Sequence, residues 1–350
     1  MLPVLGFTLL GVTIVLIVLL FKFKVQLTLH TAGQIAYTPL MFILAVLALN
    51  YLLVGLEADR IYFLQQTVYG ISLGSVYALI ALGYTMVYGI VRLINFAHGE
   101  IYMLGAYAGF FAVTSMGLHF VLALIFAMAA AALAGVLVER IAYKPLRNAP
   151  RLAVLITAIG MSLLLQNVGQ KVFGSIPRSF PRQFDGLYQI GGINLDQSRI
   201  IIFLITFLLM LALQYFVNYT KPGRAMRAVS QDRDAAQLMG INVERTISST
   251  FAIGSMLAGA AGILVAIVFP QIRPTMGLMP GLKAFVAAVI GGIGIIPGAV
   301  IGGLLLGVSE NLVTAYLSSS WRDAIAFGML IVILLVKPSG ILGRNVREKV

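Results

Sequence analysis

Along most of the chain, apolar residues come in blocks of membrane-crossing length separated by short polar segments. A hydrocarbon core about 30 Å thick asks for roughly 20 apolar residues per helix. The blocks predict spans at 4–21, 38–56, 66–90, 98–116, 119–138, 151–173, 198–218, 246–269 and 321–336, with an interrupted apolar stretch at 281–312. Lipid cannot satisfy unpaired backbone groups, so these spans must be helices. The predicted fold class is an all-α integral membrane protein of roughly ten transmembrane helices or half-helices.

Composition removes several alternatives. The chain is 60% hydrophobic and 10% charged, far from the quarter or so of charged residues in soluble domains. It has no cysteine, which excludes disulfides, thiolate metal sites and a cysteine nucleophile. Its three histidines form no pair at ligand spacing, so no metal site is expected. The formal net charge is +12, but the cations are scattered between apolar runs and form no basic face, which argues for lipid headgroups over nucleic acid.

Orientation follows from lysine and arginine. Placing 22–37, 91–97, 139–151, 219–245 and 337–350 on the cytoplasmic side puts sixteen of the twenty-four cations there, among them Lys144, Arg147, Arg224, Arg227, Arg344 and Arg347. This satisfies the positive-inside rule and puts the C-terminus in the cytoplasm. The parity requires 281–312 to return to its starting side, as a re-entrant hairpin or as two short passes. No cation precedes the apolar run at 4–21, whereas Lys22 and Lys24 follow it, so it reads as a retained helix instead of a cleaved signal.

Glycine organises the rest. Gly70 and Gly74, Gly105 and Gly109, Gly298 and Gly302, and Gly303 and Gly307 each repeat at four residues, placing both members on one helix face for close helix contact. Two stretches are broken. The first, Gly89 to Phe111, carries Asn95, His98, Gly99 and Glu100; the second, Lys283 to Gly307, carries Gly291, Gly292, Gly294, Pro297 and Gly298. Paired interruptions in the two halves of a transporter point to its translocation pathway, and give the chain an internal pseudo-repeat in outline. At the first break the other reading is an interfacial turn capped by Asn95, with Glu100 in the first helical turn. Glu310, at the end of an apolar run, reads as a solvated helix terminus.

The longest well-charged segment is Lys221 to Arg245. Pro222 and Gly223 open it, Gly240 closes it, and AMRAVSQDRDAAQLM between them predicts one short helix on the membrane face. Its apolar side would hold Ala225, Val229, Ala236 and Met239, and its polar side Arg227, Asp232 and Arg233.

Within this segment Asp234, Ala235, Ala236 and, four residues on, Gly240 resemble the EAA…G loop by which ABC importer permeases dock on their ATPase. The leading acid is Asp, and the usual downstream Ile-x-Leu-Pro is absent. GISLGSVYALIALGYTMVYGIVRLINFAHGE, from Gly70 to Glu100, with KAFVAAVIGGIG and IPGAVIGG, closely resembles the LivH-type permease of branched-chain amino acid ABC transporters. The resemblance runs from about residue 62 to the C-terminal region. Residues 1–60 fall outside it as an extra pair of membrane helices, leaving 61–350 as the permease domain.

The resemblance implies a subunit that carries branched-chain or other hydrophobic amino acids inward across a bacterial inner membrane. The implied partners are a second, LivM-type permease, two ATPases and an extracytoplasmic binding protein. It also implies that Arg224, Arg227, Asp234, Ala235, Ala236 and Gly240 form the ATPase-coupling loop. No lysine is preceded by glycine, so G-x-x-x-x-G-K-[ST] is absent. The chain is therefore expected to have no catalytic residues or cofactor, with ATP and Mg²⁺ bound by the ATPases. A urea or short-chain amide permease, and a channel or secondary transporter without an ATPase, are the alternatives.

Overall fold

The computed structural model describes residues 34–91, 95–147 and 149–343, with side chains from residue 61 onward except at position 151. The span at 4–21, its reading as a retained helix, and Lys22, Lys24, Arg92, Arg344 and Arg347 lie outside the described residues. The chain divides into two units, Met1–Arg60 and Ile61–Val350. In the first, the backbone is helical from Gln34. The second carries every feature discussed below.

The helices are α1 (Gln34–Val91), α2 (His98–Thr114), α3 (Phe120–Val138), α4 (Arg151–Phe173), α5 (Gln197–Tyr219) and α6 (Lys221–Gln231). After them come α7 (Arg233–Leu238), α8 (Val243–Val268), α9 (Leu278–Gly291), α10 (Ile296–Tyr316) and α11 (Arg322–Val336). Helix α3 runs on through a π-helical turn, Glu139–Tyr143, and a 3₁₀ turn, Lys144–Leu146. Among the described residues, seven helices are long and apolar enough to cross a membrane, as an all-α membrane protein requires. Helices α2 and α9, at 17 and 14 residues, are shorter. At 1.5 Å per residue they reach about 25 and 21 Å, less than the hydrocarbon thickness.

Burial separates centre from periphery. The apolar window of Ile61–Val91 is 89% buried and that of Val243–Val268 72%, whereas those of Gln197–Tyr219 and Ser319–Val336 are 17% and 6% buried. Helices α1 and α8 therefore form the centre, and α5 and α11 turn apolar side chains such as Phe203, Leu208, Ile331 and Leu335 outward, as lipid contact demands.

The four-residue glycine pairs are contact surfaces. A Cβ on Gly307 would lie 2.2 Å from the Gly74 nitrogen, and one on Gly303 2.6 Å from that of Ala78, so α1 and α10 meet backbone to backbone. Gly302 and Gly298 turn the other face of α10 onto Ala287 and Gly291 of α9. Gly105 of α2 lies on Gly259 of α8, which also faces Ala127 and Ala131 of α3. Small residues thus tie two groups, α1 with α9 and α10, and α8 with α2 and α3.

The stretch 281–312 is a helical hairpin, α9 and α10, turned at residues 292–295. Gly292 and Gly294 adopt φ of +108° and +91°, open to glycine at little cost. At one end of the second unit gather the end of α1, the π turn, α6, α7 and the α9–α10 turn, through Arg233–Val91, Lys144–Glu244 and Gly294–Gly89. At the other, β1 (Arg178–Ser179) pairs antiparallel with β4 (Gln271–Ile272), Arg178 opposite Ile272. There too the hairpin of β2 (Leu187–Ile190) and β3 (Ile193–Asp196) turns through Gly191 and Gly192, both at positive φ. Of the loops grouped by their cations, the described parts of 139–151, 219–245 and 337–350 lie at the same end as Val91, through Lys144–Glu244, Arg233–Val91, Gly294–Gly89 and Gly292–Ser339.

Gly307→Val should abolish the single monodisperse peak of the detergent-solubilised protein, because backbone cannot yield to the added methyls. Gly328→Val, where nothing lies within 4 Å of the position, should leave that peak intact.

Candidate functional site

At the first break the backbone leaves the helix within the protein. Asn95 and Ala97 are buried, and α2 restarts at His98 with no side-chain cap. The turn is closed by backbone: the His98 N–H donates to the Asn95 carbonyl at 3.0 Å, and those of Glu100 and Ile101 to the Ala97 carbonyl, each at 3.1 Å. Asn95 is therefore not a side-chain cap. Its Oδ1 accepts from the Tyr143 hydroxyl at 2.9 Å, across 48 residues. Asn95, His98 and Glu100 are each 1% exposed, so protein packs around all three polar side chains.

Glycine makes room for the polar groups. Gly99 abuts the carbonyl of Gly277 and the Cα of Gly281 on α9, and a Cβ at Gly83 would strike the His98 ring. That ring meets Tyr84 edge-on at 4.7 Å, and Tyr84 in turn contacts Phe285 of α9 at 6.0 Å. Glu100 places Oε1 3.4 Å from the Ser162 hydroxyl of α4, while its Oε2 has no hydrogen-bond partner among the described residues. The first-break residues are thus brought against the start of α9.

The second group lies elsewhere on that hairpin, at its turn. Gly291 packs on Gly298, Gly292 on Ser339 and Gly343, and Gly294 faces Gly89 at the end of α1. Pro297 opens α10, where its missing N–H costs no hydrogen bond. The N–H groups of Ile341 and Leu342 donate to the carbonyls of Ile290 and Gly291, so the C-terminal segment covers the end of α9. Each of these glycines has a packing or turn requirement of its own.

Glu310 is not a solvated terminus. It is fully buried, accepts from the Tyr77 hydroxyl at 2.8 Å, and pairs with Lys283 at 2.6 Å and Arg322 at 3.5 Å. Lys283 also reaches Asp323 at 2.7 Å. A cavity of ≈ 370 Å³ opens beside this cluster, between Tyr77, Met279, Lys283, Arg322 and Asp323. Sequence reading missed the pair, although two charges within otherwise apolar helices each require a partner.

The charged loop is also built differently from the single helix predicted. Thr220 caps α6, accepting from the Gly223 N–H at 3.1 Å. Asp232 then breaks the run in extended conformation, and its Oδ1 caps α7 by accepting from Asp234 and Ala235 at 2.9 and 3.0 Å. Gly240, at φ +82°, ends α7: its N–H donates to Gln237 and that of Ile241 to Ala236, a double closure of the Schellman kind. The Asp-Ala-Ala…Gly spacing is therefore a capped turn of helix. Met226, Val229 and Ala236 are buried, whereas Leu238 and Met239 are 88% and 83% exposed, so Met239 does not lie on the inner side. Arg224, Arg227, Asp234 and Ala235 are exposed. Arg233, placed by the sequence on the polar side, donates to the Val91 carbonyl at 2.7 Å and joins the loop to the last residue of α1.

Residues 66–334 match the family described as branched-chain amino acid transport system / permease component. The high-affinity branched-chain amino acid transport system permease protein LivH of Salmonella typhimurium is 48% identical over 307 residues, covering 83% of this chain and 98% of that protein. BraD of Pseudomonas aeruginosa, named likewise, is 45% identical over 302 residues with the same coverage. A probable LivH permease protein of Methanocaldococcus jannaschii is 32% identical over 280 residues, 76% of this chain and 88% of that one.

Removing Lys283 leaves the buried Glu310 with only the longer Arg322 contact at 3.5 Å and the Tyr77 hydroxyl. Lys283→Met should lower the unfolding free energy by about 3 to 5 kcal/mol, measured by denaturation in detergent. Adding Glu310→Gln should recover part of the loss; an unchanged single variant would show that the pair contributes nothing.

Proposed function

The chain belongs to the branched-chain amino acid transport permease family, and on that premise we propose that it is the translocating subunit of an ATP-driven importer of branched-chain amino acids. Its partners in this reading are a second, LivM-type permease, two ATPases that bind ATP and Mg²⁺, and an extracytoplasmic binding protein. The membrane is the bacterial inner membrane, and the end carrying α6, α7 and the C-terminal segment faces the cytoplasm, in line with its excess of cations.

The observation that carries the reading is the α6–α7 elbow. Its inner side is seated by Met226, Val229 and Ala236, its outer tip presents Leu238 and Met239, and Arg233 roots it on the end of α1. An exposed apolar tip on a firmly seated element suits an ATPase that both grips and pulls. In this reading the pathway runs beside the first break, where Asn95, His98 and Glu100 are polar groups enclosed by the protein. Gly291, Gly292, Gly294, Pro297 and Gly298 serve it by holding the hairpin that flanks it.

The test uses the assembled transporter in proteoliposomes. Leu238→Glu combined with Met239→Glu should reduce substrate-stimulated ATP hydrolysis by about tenfold or more, as loss of buried interface anchors does, while the subunit stays in the membrane. Wild-type hydrolysis would remove the docking role.

A further inference from the structure

The π-helical turn Glu139–Tyr143 links two places that are far apart in sequence. Glu139 is fully buried and accepts from Ser248 of α8 at 2.7 Å; Arg147 binds its other oxygen. Four residues on, the Tyr143 hydroxyl donates to Asn95 at 2.9 Å, and its ring lies 5.3 Å from Phe251 of α8. Lys144, the next residue, pairs with Glu244 of α8 at 2.8 Å. One short turn therefore fastens the opening of α8 to the first break.

Helix α8 begins where the elbow ends. Gly240 closes α7, and Asn242 caps α8 by accepting from the Arg245 N–H at 2.9 Å, leaving four residues, 239–242, between the two helices. The elbow thus bears on the break from both flanks: through Arg233 on the Val91 carbonyl before it, and through Ser248, Glu139, Tyr143 and Asn95 after it. A π turn adds one residue to a helical turn and is frequent at functional positions. Here it lets Glu139 and Tyr143 reach different partners.

We infer that Glu139 and Tyr143 are positioning residues that transmit displacement of the elbow to the first break, so that the break opens in step with ATP hydrolysis. This rests on the coupling role proposed above. A merely structural role for the turn would lower stability or assembly and leave the stoichiometry of transport alone. A transmitting role makes hydrolysis run without transport.

The experiment measures ATP hydrolysed per amino acid taken up, in proteoliposomes holding the complete transporter and its binding protein. Tyr143→Phe keeps the ring against Phe251 and removes only the hydroxyl; Ser248→Ala removes the donor to Glu139. Each should raise the ratio at least about fivefold, the effect of losing one buried hydrogen bond, with hydrolysis and assembly near wild type. Asn95→Ala with Tyr143→Phe should be no worse than the more affected single variant, because the two act on one bond. A wild-type ratio in both Tyr143→Phe and Ser248→Ala overturns the transmission, as does an additive double variant. If the Leu238→Glu, Met239→Glu transporter hydrolyses ATP normally, the elbow is not the docking site and both readings fall.

Discussion

A backbone that leaves the helix inside a membrane protein must have its peptide groups satisfied by the protein, since lipid supplies no partner. From Asn95 to Ala97 the chain accepts that constraint, and much of the surrounding structure follows from it. The carbonyls of Asn95 and Ala97 are taken up by the first amides of α2. The side chain of Asn95 is held from the π turn, and the carbonyl of Val91 is held from the elbow. Gly99, Gly277 and Gly281 let the start of α9 approach closely enough to cover the segment.

Most of the scaffold was legible in the sequence because its rules are local. From residue 61 onward the apolar blocks coincide with helices, although 98–116 holds one of only 17 residues, and glycine pairs four residues apart gave their contact faces. The elbow was visible through Pro222, Gly223 and Gly240. Its division was missed because AMRAVSQDRDAAQLM has good helix formers throughout, and helix propensity outweighed the one residue that ends the run. Asp232 followed two and three residues later by free amides is a capping arrangement, and that signal was available.

What could not be read are the long-range partners. Glu310 at the end of an apolar run resembles any solvated terminus until Lys283 is placed beside it by the turn of the hairpin. Arg233 meets Val91 across 142 residues, and Tyr143 meets Asn95 across 48. Nothing local in either sequence stretch names its partner. Only the burial cost of an unpaired charge or amide says that one must exist, and that argument applied to Lys283 and Glu310 would have found their pairing.

The glycine contacts also restrict how such a molecule can change shape. Helices α1, α9 and α10 touch backbone to backbone at Gly74, Gly303, Gly307, Gly291 and Gly302, and α2, α3 and α8 at Gly105, Gly259 and Gly262. Close-packed backbones have no slack, because any internal slide must separate surfaces already at contact distance. The two groups meet where Gly83 of α1 faces Gly254 of α8 and where Gly99 of α2 faces Gly277 and Gly281. Asn95, His98 and Glu100 lie along that seam. The seam is held just as closely, a Cβ on Gly99 falling 2.4 Å from the Gly277 carbonyl oxygen, so the first break and its inward polar groups are clamped between the two groups. The second break lies within one group: its turn packs Gly292 against the C-terminal segment, and its open end is closed by Lys283 and Glu310. Of two interruptions that look alike in sequence, one lies between the two groups and the other is the bend within one of them.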